Sequence, residues 1–441
     1  MTLASTSTGP IRQKAASPLT AAKRRHIKLD FELFRDGEQC TPSMEQQDVI
    51  FGLFPTSYRL TLRPPFLIVF CEELPPKPWP ITVAGLPLFL TGEKLPPKRW
   101  PVKGAALPFF LTNDNASPIN HGLPGRGPKK SVKSCISLWK TPDLGAFQEV
   151  FGVLDDLGAN VHRLQWIGTG FLALATKEPY EDWRSRLPFL INKVLISYIF
   201  GEQDVEENAV RRVLPQERVR DNTSYNDLRP GIMISSRGLS PDPDTMTTSG
   251  ICLDSQEGDR VITVSSQGFP GGVGDKVFHP TPSGRVIGKI SKVVGETDIA
   301  LARLEASEYS RETFSATDKP ATSFRKLLRV GETQIGSLVY MDTPVNGFCE
   351  GVVVIVDVSR VVSHPDENAP KCTTDFVVGT FTYYGNGGGI EMLNGSCGGV
   401  IWNDDNDVVG QFRFQNNDGT GLCYNSHFDP LVRLGYKLSG D

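Results

Sequence analysis

Short apolar runs broken by glycine and proline dominate the second half of the chain. From Gly231 onward, residues 250–253, 261–264, 352–356 and 376–381 are strand-length apolar runs separated by turn-forming residues. Many short strands with Gly-rich turns predict a sandwich or barrel. The first half reads differently. Leu144, Phe147, Phe151 and Leu154 recur at spacings of three and four, which predicts one face of a helix. Thr141 is the expected N-cap, Pro142 suits the first helical position, and Gly158 sits past the end. Residues 164–175 read as a strand or hairpin and residues 194–200 as another strand, so this region predicts a small α+β domain.

A repeat precedes that domain's helix. Leu74-Pro75-Pro76-Lys77-Pro78-Trp79-Pro80 returns 21 residues later as Leu95-Pro96-Pro97-Lys98-Arg99-Trp100-Pro101. Leu86-Pro87-Leu88-Phe89-Leu90-Thr91 returns as Leu107-Pro108-Phe109-Phe110-Leu111-Thr112. Two copies are too few for a solenoid. The apolar half of the repeat predicts a buried structural element, and its proline-rich half leaves a partner-binding arm as the alternative.

The length of 441 residues favours two or three domains. Three segments are expected: a disordered basic tail over 1–30, an N-terminal α+β domain over 31–215, and a β-rich domain over 225–441. Residues 1–29 hold no Asp or Glu and run into Lys23-Arg24-Arg25-His26, so a mitochondrial or nuclear targeting signal is the alternative to a plain tail. With no apolar leader near the N-terminus, a cytoplasmic location is the default expectation. A net charge of −4 argues against nucleic acid as a general partner, and no apolar run approaches the roughly 20 residues that span a bilayer. The eight cysteines are scattered without CxxC pairs, so neither a zinc site nor any other metal or cofactor is expected.

Chemistry concentrates in three segments of the C-terminal half. Gly395-Ser396-Cys397-Gly398-Gly399-Val400 resembles the nucleophile loop G-x-S-G-G-P of the trypsin-like (chymotrypsin-fold) peptidases, with cysteine at the nucleophile position. Glycines let the backbone turn sharply enough for the Gly395 and Cys397 amides to face a developing oxyanion. Asp298-Ile299-Ala300-Leu301-Ala302-Arg303-Leu304 is similar to the D-I-A-L-x-x-L strand whose aspartate orients the catalytic histidine. Val261-Ile262-Thr263-Val264-Ser265-Ser266-Gln267-Gly268 resembles the strand that ends in T-A-A-H, with Gln267, or Ser266 on a one-residue shift, where the histidine belongs. The order base, acid, nucleophile is that of the family.

The resemblance covers residues 231–438 and implies an all-β double barrel of the chymotrypsin type. The layout also resembles fungal proteins that place an N-terminal domain before a trypsin-like domain. On this reading Cys397 is the nucleophile, Asp298 the acid, Gln267 the replaced base, and the Gly395 and Cys397 amides the oxyanion hole. Glu391 lies at the floor of the primary pocket, where it suits Lys or Arg, and Arg413 and Phe414 lie on the strand that pairs with substrate. Glutamine accepts no proton near neutral pH, whereas a cysteine nucleophile needs a base or a depressed pKa. The expectation is a catalytically degenerate peptidase fold that binds a peptide or protein ligand, and that regains hydrolysis on Gln267→His. The alternative is an active endopeptidase of the trypsin-like or 3C-like type with Cys397 as nucleophile, in which His279 is the first substitute base to consider. An unrelated β-sandwich is the third reading.

Overall fold

A computed structural model describes residues 25–35, 38–63, 65–92, 123–176, 179, 181–200, 219–238, 244–305, 309–310, 312, 323–363, 373–385, 392–415 and 422–440. The described chain is mostly β, with few helices and several sheets.

The N-terminal sheet runs in the order His26–Ile27, Thr82–Val83, Leu86–Thr91, Phe66–Cys71, Ser57–Arg63. Phe66–Cys71 and Leu86–Thr91 are parallel neighbours and are buried along their whole length. Alternation along them explains why. Leu67, Val69, Leu86, Leu88 and Leu90 pack with Ile50 of the helix Met44–Leu53. Phe66, Ile68, Phe70 and Phe89 point the other way, onto Val352, Val354, Phe381 and Tyr424. The first copy of the repeat thus supplies a core strand, and the second copy, 95–112, lies outside the described residues.

The predicted helix is present as Leu144–Asp156, and Phe147, Val150, Phe151 and Leu154 are buried along its inner face. Its cap is Asp143, whose side chain accepts from the Ala146 amide at 2.8 Å, and not Thr141. The Thr141 hydroxyl is spent on the Thr333 carbonyl, and the Asp143 carboxylate takes the capping position. The helix covers the hairpin of Val161–Trp166 and Gly170–Ala175, and Val194–Phe200 adds to that hairpin in parallel.

Two hydrogen-bonded paths hold most of the remaining strands among the described residues. One runs Thr245–Thr248, Met233–Ser236, Lys276–His279, Arg285–Val294, Ile299–Leu304, Arg260–Ser265, Cys252–Asp254 and then Lys437–Leu438. Its first and seventh strands are separated in sequence only by residues 249–251, so the chain itself links the two ends. The other path runs Leu338–Thr343, Gly347–Ser363, Thr373–Tyr383, Leu422–His427, Val408–Gln415 and Val400–Asn403, and returns to Leu338–Thr343.

The 17-residue strand Gly347–Ser363 also pairs with Val161–Trp166, with Val356 opposite Trp166 and Val358 opposite Leu164. Hydrogen bonding therefore crosses from the N-terminal half into the C-terminal half. A buried ion pair marks the junction: Arg163 Nε donates to Asp357 Oδ1 at 2.5 Å, with side chains 11% and 0% exposed. The guanidinium lies over Phe381 and Tyr424, at 5.8 and 5.5 Å from their ring centres, and the Tyr424 hydroxyl donates to Asp357 Oδ2 at 3.4 Å. Removing one member of such a pair leaves a buried charge without its partner, which costs about 3–5 kcal/mol. Asp357→Ala should lower unfolding free energy in urea by that order. The double replacement Arg163→Met with Asp357→Leu should cost clearly less than Asp357→Ala alone, and equal losses would show that the pair is not the source of the effect.

Candidate functional site

The strand Arg260–Ser265 runs into a single 3₁₀ turn, Ser266–Gly268. Ile299–Leu304 pairs beside it, with Ser265 opposite Ile299, so Asp298 sits at the mouth of that turn. Asp298 takes a left-handed backbone, φ 58°, which Asp tolerates better than most residues. Asp298 is 4% exposed, and its carboxylate accepts three hydrogen bonds from the turn and the strand end before it. Oδ1 accepts from the Ser266 hydroxyl at 2.8 Å and the Gln267 amide at 2.9 Å, and Oδ2 accepts from the Ser265 hydroxyl at 2.9 Å. Burial pushes this carboxyl up, against the opposing pull of Ser266, Gln267, the Arg413 charge and Ser265. Both sequence candidates for the base position therefore end at Asp298: Ser266 through its hydroxyl and Gln267 through its backbone.

The loop before the strand Val400–Asn403 carries Cys397. Gly395 and Gly398 hold φ of 97° and 88°, which favour glycine. At Gly398 a Cβ would fall 2.3 Å from the Thr248 carbonyl oxygen, a second reason for its identity. Thr248 binds the loop twice, its hydroxyl donating to the Gly395 carbonyl at 2.7 Å and its amide to the Cys397 carbonyl at 3.0 Å. The Ser396 amide donates to Leu393 O, Gly398 to Phe412 O and Gly399 to Ser396 O. The carbonyls at 395, 396 and 397 are consumed, and among the described residues the Gly395 and Cys397 amides meet no backbone acceptor.

Cys397 keeps some solvent contact, but its thiol donates to the Arg413 carbonyl at 3.0 Å. Burial first, and then the negative charge of Asp298, push the thiol up to about 12, with the Arg413 charge opposing. The environment holds the thiol protonated, because no adjacent cation outweighs the loss of water.

Arg413 sits at a register shift between Phe412 and Phe414, outside the regular ladder with Leu422–His427. A bulge there turns its carbonyl towards Cys397. Phe414 is buried, with its ring stacked on Tyr424 at 5.2 Å. Glu391 lies outside the described residues.

No imidazole among the described residues is hydrogen-bonded to Cys397 or Asp298. His279 donates from Nδ1 to the Met233 carbonyl at 2.7 Å and accepts the Tyr225 amide at Nε2 at 2.9 Å, so both nitrogens are spent on backbone. Burial lowers its pKa. His427 is likewise built in: Nδ1 accepts from the Asp429 amide at 2.9 Å, Nε2 lies 2.9 Å from the Thr333 hydroxyl, and burial pushes it down to about 4.

Three contributors were given no role by the sequence motifs. Ser265 fills the buried carboxylate of Asp298. Gln411 Nε2 donates to the Asp298 and Val264 carbonyls at 3.0 and 3.3 Å, tying the closed path to the other sheet. Asn346 binds the Cys397 loop from the turn between Leu338–Thr343 and Gly347–Ser363. A serine pair before the expected histidine was the one available signal, since hydroxyls stand there in place of alanines.

No model of a known protein family matches the chain, and no curated protein sequence does. The solved structures it is similar to include a Nocardiopsis protease (NAPase), 17% identical, with 48% of this chain and 98% of that chain covered and a TM-score of 0.35. A glutamic acid specific serine protease is 12% identical over 48% of this chain and 100% of that one, TM-score 0.34. A chymotrypsin from Cellulomonas bogoriensis is 14% identical over 49% and 100%, TM-score 0.33.

At pH 8 iodoacetamide should label Cys397 far more slowly than the exposed Cys40 and Cys135, read by mass spectrometry of the intact protein. Labelling of Cys397 at the rate of Cys40 would mean an ionised thiol. A thiol raised in the fold favours the protonated form, so its contribution is full below the unfolded value of about 8.5 and is lost as pH rises towards about 12. The stability difference between wild type and Cys397→Ala should therefore shift against wild type across that alkaline window.

Proposed function

We propose that the C-terminal half is a two-barrel peptidase fold of the chymotrypsin type whose catalytic centre is degenerate, and that it acts by binding a peptide or protein. The closed path and its partner sheet correspond to the two barrels, with Asp298 and Cys397 at their junction. The observation that carries the reading is the occupation of Asp298: two serine hydroxyls and the Gln267 amide bond both oxygens of the carboxylate that would orient an imidazole. The protonated Cys397 thiol, bonded to the Arg413 carbonyl, supports it from the nucleophile side.

In the mechanism of this fold the base removes the nucleophile's proton and returns it to the leaving amine. Gln267 can hydrogen-bond but cannot carry that proton. The Arg413 carbonyl only accepts a hydrogen bond from the thiol, so it leaves the sulfur protonated. Binding needs neither step: the amides of the loop and the Val408–Gln415 strand are present without chemistry.

General acid–base assistance is worth about 10²–10⁴-fold. Wild-type protein should give no hydrolysis of casein or of Lys- and Arg-containing fluorogenic peptides above background. Gln267→His alone should gain little, because the Ser266 hydroxyl holds Asp298 Oδ1. Gln267→His with Ser266→Ala should exceed the single variant by about 10²-fold. Cleavage by the wild type that Cys397→Ala abolishes would overturn the degenerate reading and establish the active cysteine endopeptidase.

A further inference from the structure

The loop at Cys397 is held by a side chain that no motif announces. Asn346 Oδ1 accepts two hydrogen bonds from it, from the Ser396 hydroxyl at 2.7 Å and from the Leu393 amide at 3.0 Å. Ser396 is completely buried, so this is an interior contact. Asn346 is itself fixed, its amide donating to the hydroxyl of the buried Thr343 at 3.0 Å. The same turn receives the start of the C-terminal half, since the Arg220 and Asp221 amides both donate to the Pro344 carbonyl, at 2.9 and 3.0 Å.

We infer that Asn346 is the positioning residue of the Cys397 loop, through the hydrogen bonds it accepts from Ser396 and Leu393. The inference rests on reading residues 395–399 as the nucleophile-type loop of the proposed fold. One oxygen with two lone pairs accepts both donors. Together they pin the loop at Leu393 and Ser396, while Thr248 holds the Gly395 and Cys397 carbonyls. With the loop so clamped, the Gly395 and Cys397 amides meet no backbone acceptor among the described residues.

The test uses the full-length protein and the alkylation of Cys397 by iodoacetamide as a function of pH. The wild-type thiol, held near 12, should react slowly at pH 8. Asn346→Ala should release the loop into water and speed Cys397 labelling about tenfold or more, with the pH profile moving down towards an ordinary thiol. Asn346→Asp keeps an acceptor for both donors and should stay near wild type. Buried Cys252 reports on unfolding. If it reacts as fast as Cys397 in Asn346→Ala, that variant has lost its fold and Ser396→Ala, which removes one arm of the clamp, decides by the same profile. An unchanged profile in the folded alanine variant overturns the inference, as does an Asn346→Asp profile matching Asn346→Ala. Peptide hydrolysis by the wild type would sink the degenerate-site reading without altering any of these labelling outcomes.

Discussion

A carboxylate buried to 4% exposure must have its oxygens filled, and Asp298 imposes that demand on everything around it. Its two oxygens recruit Ser265, Ser266 and the Gln267 amide, which fixes the turn after Arg260–Ser265. Its own carbonyl receives the Ser266 amide and Gln411 Nε2, and the second of these reaches over from the closed path. One residue thereby sets the local turn and the apposition of the two sheets. An imidazole at this turn would have to claim one of those oxygens. Here hydroxyls take the position, so the carboxylate is satisfied without a group that can titrate near neutrality.

Cys397 obeys the same economy of hydrogen bonds. A thiol in a site with little water donates to the nearest carbonyl, that of Arg413, and the nearby negative charge discourages ionisation further. The loop geometry and the thiol chemistry are thus separable properties. Glycine backbone at 395 and 398 with the contacts to Thr248 and Asn346 shapes the loop, whereas the charge balance around the sulfur governs reactivity.

Much of this arrangement was legible from residues close together in the chain. The strand before Ser266, the Asp298 strand and the glycine-rich loop each carry a local pattern, and their order brought Asp298 and Cys397 into one argument. The helix over Leu144–Asp156 was legible from its apolar spacing, and its cap lies at Asp143 because the Thr141 hydroxyl is drawn to the distant Thr333 carbonyl, which leaves no short-range mark. The pairing of Val161–Trp166 with Gly347–Ser363 was not, because strand partners almost two hundred residues apart leave no short-range mark. The same applies to Asn346 and Gln411. An asparagine in a turn and a glutamine in a strand look ordinary until the fold brings a carbonyl or a buried serine to them. Ser266 was ambiguous because a one-residue shift puts either it or Gln267 at the base position.

The strand Gly347–Ser363 belongs to the closed path and to the sheet of the helix-bearing segment at once. Its inner residues Val353, Val356 and Val358 sit in one cluster with Phe147, Leu164 and Trp166. Covalent continuity is therefore the least of the links between the two halves. A chain severed by a protease between them would still travel as one particle, since separating the pieces means stripping a strand and opening a shared interior. Loss of the earlier half would leave the later half with a bare strand edge and the valines behind it open to water.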